Sequence, residues 1–227
     1  MTARLPALAV LLPVVLAACA VAPSGSPPLR FLALGDSYTI GEGVGAAHRW
    51  PSQLAALLRA EGLAVGAAEI VARTGWTTAE LAAGIDAASP EGPYDLVSLQ
   101  IGVNNQYRGL ALADYRAELA ALLERAIGLA GGDPGRVVVL SIPDWGITPF
   151  AASYDRPRIA AEIDAFNEVA RAEAESRGVR FLDVTAISRR AADEPGLLVD
   201  DGLHPSGAMY AEWARLVLPP AIDALRP

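Results

Sequence analysis

Five residues of this sequence have the types that acyl transfer needs. Ser37 stands in Gly35-Asp36-Ser37-Tyr38, directly after the apolar run Phe31-Leu32-Ala33-Leu34. A side chain just past a buried strand is exposed yet held by rigid backbone, which suits a nucleophile. A serine hydroxyl attacks a carbonyl only when a base takes its proton. The sequence offers two histidines, His48 and His204. His48 lies beside Arg49 with no carboxylate at short spacing, and reads as a surface residue. His204 has Asp201 three residues before it; in a tight turn that carboxylate accepts from Nδ1 and turns Nε2 outward. The oxyanion formed on attack needs N–H donors, and the candidates are the backbone N–H groups of Ser37 and Gly75 and the side-chain amide of Asn104. Each residue has a plainer reading, since Ser, Asp, Asn and Gly all serve turns and caps. What favours chemistry is their convergence on one place.

That convergence follows from the elements that must position them. The sequence predicts five short strands: one from Phe31, then Ala67 to Ala72, Asp95 to Ile101, Arg136 to Ile142 and Val179 to Val184. Between them run amphipathic stretches. Pro51 opens one with Leu54, Leu57 and Leu58 on a single face. Thr77 or Thr78 caps a second through Leu81 and Ile85. A third carries Leu112, Tyr115, Leu119, Leu122, Leu123 and Ile127 and stops at Gly131-Gly132. Ile159, Ile163 and Phe166 mark a fourth, with a glycine cap at Gly178. Ser206 is positioned to cap the last, which turns Tyr210, Trp213 and Val217 inward. Strands alternating with helices predict an α/β fold, an open parallel sheet with helices on both faces. Such sheets bind ligands at the carboxyl ends of their strands. Ser37, Gly75, Asn104, the pair Asp144 and Trp145, and the pair Asp201 and His204 each follow a different strand, so all are expected on one rim. Asp144, Trp145 and Trp76 are the candidates for substrate contact, with Tyr107 and Phe150 nearby.

Composition narrows the function classes. At 227 residues and 52% hydrophobic, the chain has length for one sizeable domain with a real core. The net charge is −8, with no basic cluster, which argues against nucleic acid binding. Every one of the 18 basic residues is arginine, so lysine nucleophiles, Schiff bases and phosphate-cradling lysines are excluded. One cysteine and two histidines make neither an intrachain disulfide nor a Cys/His metal cluster. No metal or cofactor is expected.

The blocks Gly35-Asp36-Ser37-Tyr38, Gly75, Gly102-Val103-Asn104 and Asp201-Gly202-Leu203-His204, in this order from Phe31 to about Leu216, resemble those of the SGNH hydrolases, the GDSL esterase/lipase family. The resemblance implies a flavodoxin-like three-layer α/β/α sandwich and hydrolysis of carboxylic esters through an acyl-serine. Two positions depart from the family pattern. Tyr38 stands in place of Leu, and Asn105 in place of an Asp; a change of local hydrogen bonding is expected at Asn105, without loss of catalysis. No G-x-S-x-G elbow is present, which disfavours an α/β-hydrolase. Acetyl or short acyl esters of small molecules or carbohydrates are the expected substrates, because the rim shows no long apolar lid. Two other classes compete: a non-catalytic cell-surface binding module on the same fold, and a flavodoxin-like cofactor binder. The first would be favoured by loss of Ser37 or His204; the second would want a phosphate loop where Asp36 and Glu42 place acid instead.

The chain begins with Met1 to Arg4 and an apolar run from Leu5 to Leu16, a secretory signal too short to span a membrane. Leu16-Ala17-Ala18-Cys19 resembles a bacterial lipobox, which implies cleavage before Cys19 and lipid on its sulfur. The reading is thus a signal peptide over 1–18, a tether over 19–28 rich in Pro, Ser and Gly, and a hydrolase domain over 29–227. A monomer anchored in the cell envelope is expected.

Overall fold

The structure, a computed structural model, describes residues 27–226. The predicted signal peptide and Cys19 lie outside the described residues.

Five strands form one parallel sheet in the order β2-β1-β3-β4-β5: β1 Phe31–Gly35, β2 Glu69–Ala72, β3 Leu96–Gln100, β4 Val137–Leu140 and β5 Arg180–Leu182. Central strands β1, β3 and β4 are buried along their whole length; their runs are apolar except for Ser98 and Gln100 of β3, the latter donating to the Ser141 carbonyl. Helices α2 (Trp50–Ala60) and α8 (Gly207–Leu225) pack together on one face; α3 (Thr78–Ala88), α5 (Leu112–Leu129) and α6 (Arg156–Glu175) cover the other. The three layers and the strand order are those of a flavodoxin-like sandwich. Among the described residues no helix is long and apolar enough to cross a membrane.

The long helices match their sequence signals. Thr77 makes a capping box with Glu80 at the start of α3. Tyr210, Trp213 and Val217 are buried under α8. Ser206 differs from expectation: it occupies the N-cap position of α8, but its hydroxyl donates to the Gly196 carbonyl, so it ties down the preceding loop. Three short helices were not foreseen: α1 (Ser37–Ile40), α4 (Val103–Tyr107) and α7 (Thr185–Arg189). The first two follow β1 and β3, the neighbours between which the chain's winding direction reverses. That reversal opens the crevice in which sheets of this kind bind ligands.

Candidate active site

Ser37 is the first residue of α1. Asp36, as N-cap, accepts the Tyr38 N–H on Oδ1 at 3.0 Å. The Ser37 N–H, one position earlier, is left without an acceptor among the described residues. The cap therefore secures the helix while leaving the N–H of Ser37 free. Only 5% of Ser37 is exposed, and that surface faces a cleft of ≈ 170 Å³.

His204 borders the same cleft. Its Nδ1 lies 2.6 Å from Asp201 Oδ2, while Asp201 Oδ1 accepts the Leu203 and His204 N–H groups at 2.8 and 2.9 Å. Gly202 at φ +66 makes the tight turn possible. With its proton on Nδ1, the ring presents Nε2 as a base. Burial pushes the Asp201 carboxyl up, but the His204 ring and the two backbone donors outweigh it and hold the group below the usual carboxylate range. No hydrogen bond joins Ser37 Oγ to His204 among the described residues; such contacts are often loose before substrate binds. His48 is exposed in a single turn of 3₁₀ helix (Ala46–His48) and takes no part in the cleft.

The three expected oxyanion donors also meet here. Gly75, at φ +83, lines the cleft and its N–H has no acceptor among the described residues. Asn104 lines it too; Nδ2 gives one proton to the Trp76 carbonyl at 2.9 Å and keeps a second. Asn105 points away. It is buried, accepts the Thr78 N–H at 3.1 Å and donates to Thr78 Oγ1 at 2.6 Å, fastening α4 to the start of α3.

The substrate-contact candidates divide. Trp145 forms part of the cleft wall with Tyr107 and Phe150, its indole N–H donating to Gln106 Oε1 at 2.7 Å. Asp144 does not reach the cleft. It is 1% exposed, with Oδ1 on the Gly146 N–H and Oδ2 on Arg189 Nε, both at 2.9 Å. Its work is to shape the turn after β4. The Trp76 indole is also elsewhere, lying so close on Gly84 of α3 that a Cβ there would come within 2.1 Å of it. Trp76 serves the site through its carbonyl alone.

Asp36 is fully buried, and Oδ2 finds no hydrogen-bond partner among the described residues. Burial pushes its carboxyl up to about 7, against the opposing pull of the Tyr38 N–H. Near neutral pH the carboxyl is therefore divided between its neutral and charged forms, and the charge beside Ser37 grows as pH rises through this range. No cluster of metal-ligating side chains is present among the described residues.

The GDSL-like lipase/acylhydrolase family model matches residues 33–212. No curated protein matches the chain. Among solved structures, TesA is 25% identical with a TM-score of 0.68, over 86% of this chain and 99% of its own. A lipase/acylhydrolase from Enterococcus faecalis is 21% identical at TM-score 0.68, over 88% and 98%. Axe2, an acetylxylan esterase from Geobacillus stearothermophilus, is 22% identical at TM-score 0.64, over 85% and 94%. A family match that starts in β1, ends in α8 and takes in every block of the cleft settles the lineage: this chain belongs to the GDSL-like lipase/acylhydrolase family, the SGNH hydrolases, and is an esterase of that family.

Proposed function

We propose that the enzyme hydrolyses acetyl or short acyl esters, with Ser37 as nucleophile and His204 as base. The observation that carries this reading is one small cleft holding Ser37, a histidine oriented by Asp201, and three N–H groups free to bind an oxyanion. His204 Nε2 takes the Ser37 proton as Oγ bonds to the carbonyl carbon. The carbonyl electron pair moves onto oxygen and is met by the N–H groups of Ser37, Gly75 and Asn104. Collapse expels the alcohol, protonated by His204, and leaves an acyl-serine. Water, activated in the same way, releases the acid.

The cleft is smaller than the usual range for sites taking drug-sized ligands, about 300 Å³ and above, which favours a small acyl group. Tyr107 and Phe150 line the cleft and Tyr154 stacks on Phe150 beside it; the three are each at least 40% exposed and meet Trp145 edge-on. Exposed rings beside an ester site suit a sugar or other ring-bearing leaving group. The fold likeness to an acetylxylan esterase points the same way.

Ser37→Ala is expected to lose nearly all hydrolysis of p-nitrophenyl acetate while keeping the parent's circular dichroism. A fluorophosphonate should label the parent and not the variant; labelling of both would place the nucleophile elsewhere. Rates on p-nitrophenyl esters should fall beyond about four acyl carbons, and acetylated xylooligosaccharides should be cleaved. Faster turnover of eight- to sixteen-carbon esters would reject the short-acyl reading.

We further propose attachment to the cell envelope through lipid on Cys19, supported by the Leu16-Ala17-Ala18-Cys19 segment. Cys19→Ser should leave the membrane fraction or remain unprocessed. Migration and partitioning like the parent's would remove the anchor.

A further inference from the structure

The groups on either side of the peptide that supplies the Gly75 N–H are held from outside the cleft. Arg108, which follows the last residue of α4, donates through Nη2 to the Gly75 carbonyl, and its Nη1 lies 3.2 Å from Glu80 Oε2. The short helix and its C-cap thus send three side chains to the segment 75–78: Asn104 to the Trp76 carbonyl, Asn105 to Thr78, and Arg108 to the Gly75 carbonyl. On the other flank Thr74 Oγ1 is hydrogen-bonded to the Glu42 carboxylate. The Thr74–Gly75 peptide therefore has an anchored group on each side, while its N–H stays unpaired among the described residues and Gly75 lines the cleft. Glycine at φ +83 has the widest conformational freedom of any residue. Without outside anchors this donor would wander, and an oxyanion donor is useful only if it is already in place when charge develops.

We propose that Arg108 is a positioning residue: bridging Glu80 and the Gly75 carbonyl, it holds the Gly75 N–H aimed at the oxyanion. The inference rests on the esterase reading above. Arg108 itself is outside the reacting atoms, and its ion pair with Glu80 is half-exposed, with both side chains 44% accessible. Such pairs add little to stability, so loss of Arg108 should show in catalysis well before it shows in folding.

The test compares Arg108→Ala, Arg108→Lys and Glu80→Gln with the parent, using p-nitrophenyl acetate and, as a reversible tetrahedral adduct on Ser37, phenylboronic acid. Arg108→Ala should lower kcat by about tenfold or more, below the 10²–10³ that removal of a whole donor costs. KM should hold and the boronate inhibition constant should rise by the same factor as kcat falls, because the donor meets only the tetrahedral state. Lysine restores one hydrogen bond to the carbonyl and should recover part of the rate. Glu80→Gln keeps an acceptor for the Thr77 cap but frees the guanidinium, so it should move kcat in the same direction by less. The melting temperature should stay within a few degrees in all three. Parent kcat and parent boronate affinity in Arg108→Ala would overturn the proposal. A rise in KM alone would do so too, by making Arg108 a substrate contact. Failure of the esterase reading looks different: the parent itself would be inactive and unlabelled at Ser37.

Discussion

At the scale of single residues, the cleft separates groups that react from groups that hold. Asp201 is of the second kind: every hydrogen bond recorded for its carboxylate comes from the His204 ring or from the backbone of Leu203 and His204. Asp201→Asn keeps the shape but removes the charge and allows the imidazole to turn its wrong tautomer to Ser37. The kcat on p-nitrophenyl acetate should fall by about 10²-fold or more, toward the 10⁴ known for a buried triad carboxylate; the side chain's 42% exposure argues for the milder end. His48→Ala serves as the control and should match the parent. A tolerated His204→Ala beside an inactive His48→Ala would require the site to be rebuilt around the other histidine. Residue types and order were enough to expect Ser37, Gly75, Asn104 and His204 together, and the four line one cleft with Asp201 bonded to the His204 ring. Asp144 and Trp76 show where that reasoning stops. Both stand at strand ends on the right rim, yet Asp144 turns under to bind Arg189 and the Trp76 indole turns onto Gly84. Rim position is a property of the backbone, and the direction of a side chain from it depends on partners distant in sequence.

At the scale of elements, legibility tracked length. Helices of eleven residues or more, α2, α3, α5, α6 and α8, carry enough turns to show an apolar face in the sequence. The helices of four and five residues, α1 and α4, show no period and read as loop. They are held by contacts beyond themselves, α1 through the Asp36 cap and α4 through Thr78 and the Gly75–Trp76 carbonyls. These two elements carry Ser37 and Asn104, the proposed nucleophile and side-chain oxyanion donor. Arg108 was overlooked for the same reason: an exposed arginine after a loop has no signal until the fold brings Gly75 and Glu80 to it. The aromatic wall was read more fully, since Tyr107, Trp145 and Phe150 all meet at the cleft as their rim positions indicate.

At the scale of the whole molecule, the parallel α/β sandwich was legible because β1, β3 and β4 are buried on both faces and so are mainly apolar, Ser98 and Gln100 of β3 being the buried polar exceptions. The strand order was less so; sequence alone gives alternation, while the reversal beside β1 is a matter of which neighbours pair. That layout also carries a cost, because it drives Asp36 into full burial at the end of β1. In the folded chain its carboxyl titrates at about 7 instead of 3.8, so between these values the native state keeps a proton that the unfolded chain gives up. Stability must then fall as pH rises through this window. Below the unfolded value both states are protonated, and above about 7 the penalty is complete and level. Each pH unit in the window is worth about 1.4 kcal/mol. Asp36→Asn retains an oxygen for the Tyr38 N–H and has no proton to lose. Urea unfolding of parent and variant at pH 4, 5.5, 7 and 8.5 should show nearly equal stabilities at the lowest pH and a lead for the variant that widens to neutrality, then stays constant. Curves that run parallel across the series would show that Asp36 ionises as an ordinary carboxylate, and that the nucleophile has a fixed negative charge at its side.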